Sequence, residues 1–68
     1  MEAKHQKRLL KTKQAAEYLS CSTWKLRELV HGEKLPHVVL AEDEGVWHFD
    51  VLDLDRFIES RKIGVDTL

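Results

Sequence analysis

Hydrophobic and polar positions along this chain change period twice. Ala15, Ala16 and Leu19 recur at helical spacing, and Leu26, Leu29 and Val30 form the i, i+3, i+4 stripe of an amphipathic helix. Residues 37–41 and 46–49 are instead short runs of β-branched, aromatic and aliphatic residues around the polar Glu42-Asp43-Glu44-Gly45, which suits a hairpin. Leu54, Phe57 and Ile58 then return to one helical face. The breaks between these runs carry capping chemistry. Thr12 is the expected N-cap of a helix over Lys13–Leu19. Ser20-Cys21-Ser22 interrupts it, and Ser22 caps a second helix over Thr23–His31. Gly32 is read as the left-handed residue that ends this helix, and Pro36 prevents its continuation. Asp50 caps a third helix reaching to about Lys62, with Asp53 as a weaker capping-box acid. The predicted fold is mainly α with a small β-hairpin, in the order α-α-β-β-α. Its first two helices form a helix-turn-helix candidate.

Composition narrows the classes of function. Sixty-eight residues allow one small domain, and a chain of this size buries only about 60% of its unfolded surface. That argues against a self-contained enzyme with a deep pocket, although a hydrophobic content of 43% is enough for a compact fold. No apolar run approaches the roughly 20 residues of a membrane span, and the charged start shows no signal peptide, so a cytoplasmic chain is expected. The single Cys21 forms no internal disulfide, and it is read as a small buried hydrophobe. His5, His31, His37 and His48 lack ligand spacing, so no metal site is expected; His37 and His48 are placed to pair across the hairpin. No phosphate loop and no nucleophile with its base appear, so neither an enzyme nor a cofactor or small-molecule substrate is expected. The net charge of -1 hides a division: residues 1–34 carry +4 and the remainder -5. A basic first half suits an anionic partner while the acidic half points away or meets another protein.

Ala15-Ala16-Glu17-Tyr18-Leu19, Ser22, Leu26, Leu29-Val30, Leu35-Pro36, Trp47-His48-Phe49 and Asp53-Leu54-Asp55-Arg56-Phe57-Ile58 follow one another in a distinctive order. The pattern resembles the excisionase-type, MerR-like winged-helix DNA-binding domains, from about Leu10 to Ile58. The resemblance implies a winged helix-turn-helix in which helix 23–31 enters a DNA major groove and loop 42–45 is the wing. It also implies a recombination directionality factor, a small transcription regulator or a packaging adaptor. Two departures stand out. The exit Gly32-Glu33-Lys34-Leu35-Pro36 has one residue more than the usual Gly-Glu-Leu-Pro. The wing position carries three carboxylates, which repel phosphates within a Debye length of about 8 Å.

With Leu26, Leu29 and Val30 turned inward, Trp24, Lys25, Arg27, Glu28 and His31 remain outside as candidate base contacts. Arg27 suits a guanine edge or a phosphate, Lys25 a phosphate, and Glu28 a cytosine amine. Trp24 either packs on a sugar or thymine methyl, or folds back to fill a core edge. Thr23, and Thr12 with Lys13 and Gln14, offer helix starts for phosphates; simple capping explains them equally. Lys4, Lys7, Arg8 and Lys11 belong to a basic arm over 1–9, ahead of a domain over 10–63 and a tail over 64–68. The resulting expectation is a sequence-specific double-stranded DNA-binding protein, with an integrase or recombinase and head-to-tail copies of itself as further partners. The alternative is a protein-interaction adaptor that keeps the fold and docks on an integrase or packaging ATPase.

Overall fold

The computed structural model describes residues 7–40 and 45–64. The start of the arm, the acids 42–44 and the tail from 65 lie outside them. Five elements are formed: β1 (Leu9–Lys11), α1 (Thr12–Leu19), α2 (Thr23–His31), β2 (His48–Asp50) and α3 (Val51–Arg61). Among the described residues no helix is long and apolar enough to cross a membrane. The fold is the expected winged helix-turn-helix, with an added strand.

Both helices of the helix-turn-helix end by the same device. After α1, Ser20 takes a left-handed φ of 59°, its N–H reaches Glu17 O, and the Cys21 N–H reaches Ala16 O at 2.9 Å. After α2, Glu33 (φ 61°) and Lys34 repeat this pairing with Val30 O and Leu29 O. These are Schellman closures, which satisfy carbonyls that a helix end otherwise leaves bare. Gly32 is not the left-handed residue, since its φ is -82°. Its small size matters instead, because a Cβ there would lie 3.3 Å from the Glu28 carbonyl. Ser22 caps α2 as expected, its Oγ accepting from the Lys25 N–H at 3.0 Å. Thr12 is the first residue of α1 and not its cap. Lys11 holds the cap position and has no acceptor, so Gln14 Oε1 accepts the Lys11 N–H at 3.1 Å instead.

The sheet differs from a simple hairpin. The limbs 37–40 and 46–48 run antiparallel, but they join at one bridge, where Val38 and His48 exchange two hydrogen bonds of 2.7 and 3.0 Å. The other edge of β2 pairs antiparallel with β1, Leu10 opposite Phe49. Leu9, the last residue of the segment read as an arm, is thus held in a strand. Arg8 is held as well: its guanidinium grips Asp50, Nη2 to Oδ2 at 2.9 Å, and its carbonyl accepts from Val51 N–H at 2.8 Å. Asp50 caps α3 as expected, with Oδ1 accepting from Leu52 N–H at 3.0 Å. The Arg8 contact and that cap bond hold its carboxyl below the usual carboxylate range.

One core joins these elements: Ala15 and Ala16 of α1, Leu26, Leu29 and Val30 of α2, Leu35, Phe49 and Leu54. Leu10, Leu19, Cys21, Trp47 and Phe57 pack around it, half-buried. The two alanines let α1 approach closely, and Leu54 adds α3, which packs on α1 and β2, to the same core on the inner side of the fold. That arrangement leaves the opposite side of α2 uncovered.

Candidate nucleic-acid interface

At 100° per residue, Leu26, Leu29 and Val30 occupy the inner arc of α2, and Trp24, Arg27, Glu28 and His31 fall within about 100° on the outer one. All four are exposed. Trp24 is 67% exposed, so it does not fold back into the core. Lys25 and Thr23 stand on opposite flanks of this ridge. Lys25 Nζ lies 3.8 Å from Glu28 Oε1, a loose pair on the surface.

A shallow groove of about 330 Å³ runs along the Arg27 flank, lined by Thr12, Arg27, His31, Gly45 and Trp47. It brings the start of α1, the end of α2 and the root of the hairpin to one place. Trp47 is its fixed wall. The His31 ring meets its indole edge-on at 5.6 Å, His37 lies against it at 4.7 Å, and the buried Phe49 supports it from below at 6.3 Å. His37 therefore stacks on Trp47 and does not pair with His48. On the other flank Lys25 shares a groove of about 260 Å³ with Leu19, Cys21, Leu29, Phe57 and Arg61. There the Arg61 guanidinium lies over the Phe57 ring at 5.0 Å.

The structure thus gathers Thr12, Arg27 and His31 on one flank, with Trp24 and Glu28 on the ridge and Lys25 on the other flank. Thr23 lies exposed at the start of α2, and Lys13 is exposed on the first turn of α1. Gln14 is committed to the α1 start, and Arg8 to Asp50. Sequence reasoning missed two participants. Trp47 is not among the residues singled out from the sequence as contacts, although an aromatic two residues after Gly45 is placed to wall the hairpin root. Arg61 is not among them either, and nothing in its local sequence links it to Lys25.

A family model described as "Helix-turn-helix domain" matches residues 9–62, from β1 through α3. The chain belongs to this helix-turn-helix family. No curated protein and no solved structure matches it. Membership makes it a DNA-binding helix-turn-helix protein.

Proposed function

We propose that the chain is a sequence-specific double-stranded DNA-binding protein of the excisionase type, a recombination directionality factor or small transcription regulator, that places α2 in the major groove. One observation carries the reading: the outer arc of α2 holds four exposed polar or aromatic side chains, and apart from the Trp47 edge beside His31 nothing packs over it among the described residues. Trp24, Arg27, Glu28 and His31 reach base edges. Lys25 takes a phosphate on one flank, and Thr12, Lys13 and Thr23 offer helix starts to the other strand. His31 is positioned by Trp47, which couples the end of α2 to the hairpin root.

The test is a titration of labelled random-sequence duplex at two salt concentrations, followed by selection from a random pool. Salt-dependent binding that enriches one motif is the expected result. Lys25→Ala reduces the slope of log K against log salt by about 0.9 and weakens all duplexes alike. Arg27→Ala costs about 1–3 kcal/mol on the selected duplex and relaxes its sequence preference. No binding at low salt by a folded protein overturns the proposal.

The exposure of Trp24 supports a second reading as an adaptor, in which Trp24 or the acidic half docks on an integrase or packaging ATPase. That reading requires partner capture that survives Arg27→Ala and Lys25→Ala. The charge division further supports head-to-tail association of copies on repeated sites about 10 bp apart. A titration on two adjacent sites with no cooperativity removes the association.

A further inference from the structure

We infer that α2 reads a G·C base pair lying next to a thymine, with Arg27 and Glu28 on the two bases of the pair and Trp24 on the thymine methyl. The inference rests on the DNA-binding reading and names what that surface selects. Arg27 and Glu28 are consecutive, so they leave the helix 100° apart, on either side of the direction of Trp24. The groove with Thr12 and Trp47 draws Arg27 to one side. Lys25, 3.8 Å from Glu28 Oε1, draws Glu28 to the other. That contact is too long to occupy the carboxylate as a hydrogen bond.

The chemistry of the two heads then restricts the base pair. Arg27 only donates and Glu28 only accepts. In the major groove guanine offers O6 and N7 as adjacent acceptors, while its partner cytosine offers the N4 amine as a donor. A carboxylate on a DNA-facing ridge meets repulsion from phosphates and relief from an exocyclic amine, and of the two base pairs only G·C sets that amine opposite the paired O6 and N7 acceptors that fit a guanidinium fork. One G·C pair therefore satisfies both neighbours at once, one residue on each strand.

Trp24 precedes them by three and four residues on the same ridge. The helical rise sets it about 4.5–6 Å along the axis, between one and two base-pair steps of about 3.4 Å. With 67% of its surface open and no polar partner among the described residues, the indole has apolar area to cover. The exposed apolar group of the major groove is the thymine C5-methyl.

The experiment takes the duplex enriched by selection and replaces single thymines by uracil, which removes only the methyl. At the thymine beside the selected G·C pair, uracil is expected to weaken the wild type about fourfold, the worth of one methyl group. Trp24→Ala binds the thymine and uracil duplexes equally, whereas Arg27→Ala keeps the difference and loses the preference for guanine. Replacing that thymine by 5-methylcytosine retains more affinity than replacing it by cytosine. Equal binding of thymine and uracil by the wild type, or an enriched motif with no thymine beside a G·C pair, overturns the inference while DNA binding stands. A folded protein that binds no duplex at low salt overturns the DNA reading itself.

Discussion

Replacing Phe49 by alanine tests whether the small core acts as one unit. The Phe49 ring is fully buried, lies between the β-strand pair and the three helices, and supports Trp47 at 6.3 Å. Removing a buried phenyl ring costs about 3–5 kcal/mol, the lost burial plus the cavity left behind. A chain of this length has about 3–10 kcal/mol of stability in total, at about 0.05–0.15 kcal/mol per residue. The variant therefore loses between a third and all of it. With about 4–8 °C per kcal/mol for so small a domain, its melting midpoint falls by at least about 12 °C. Urea unfolding followed by far-UV circular dichroism and by tryptophan fluorescence measures the loss. Trp24→Ala is the control, because it removes a larger aromatic that is 67% exposed. Its stability is expected to stay within about 0.5 kcal/mol, with a small gain from the helix propensity of alanine. A Phe49→Ala cost below about 1.5 kcal/mol, or a Trp24→Ala cost equal to it, refutes the core assignment.

Three further outcomes follow from the same geometry. Glu33→Gly relieves a left-handed residue of its Cβ and is expected to stabilise by about 1 kcal/mol in urea unfolding, whereas Gly32→Ala, whose Cβ would meet the Glu28 carbonyl at 3.3 Å, gives no comparable gain. The chain has one tyrosine, and its hydroxyl donates to Asp55 Oδ1 at 2.6 Å. That bond raises the Tyr18 pKa above its ordinary value of about 10, so ultraviolet titration shows a late phenolate that Asp55→Asn brings back. Asp50 is held below the ordinary aspartate value of about 3.9 by Arg8 and by the Leu52 N–H. Its contribution is complete above that unfolded value and is lost as pH falls through the depressed native one, so Arg8→Ala flattens part of the acid limb of stability against pH.

Legibility in the sequence followed the range of the interaction concerned. The bounds of α2 were readable because both determinants are local: Ser22 bonds three residues ahead, and the stripe of Leu26, Leu29 and Val30 repeats within two turns. The end of α2 at His31 was equally readable, but the left-handed residue beyond it is Glu33 and not Gly32, because glycine suits either a positive φ or a tight approach, and here Gly32 meets the second need. Strand β1 left no local trace. Three residues have no measurable alternation, and Leu9–Lys11 becomes a strand only through β2, some 40 residues away. The same distance hid the staple of Arg8 to Asp50. The first limb of the hairpin was over-read for the opposite reason. Its β propensity is high, but Val38 alone is bridged to β2 among the described residues, since propensity follows the packing a strand finds. At the candidate site the outward residues of α2 followed from periodicity alone, while Trp47 and Arg61 joined it through tertiary packing.

Folding also changes what the charge division means. By sequence the second half is a reservoir of negative charge that invites a protein partner. In the structure each described acid of that half meets a donor close by: Asp50 meets Arg8, Asp53 meets Arg56 at 3.3 Å, Asp55 meets Tyr18, and Glu59 meets Lys62 at 2.9 Å. Such surface pairs contribute little stability, but each of the three ion pairs cancels field at the scale of a Debye length, while the neutral Tyr18 hydroxyl only solvates Asp55. The acids of β2 and α3 therefore project less potential than their number implies, and a partner drawn to them has to displace existing pairs. The outer arc of α2 carries no comparable burden. Among the described residues its single ion pair is the loose one between Lys25 and Glu28, and Arg27 meets no carboxylate. Among the described residues Trp24 and Arg27 thus meet no such pair on the outward face of α2. This asymmetry favours the DNA-reading surface over docking through the acidic half.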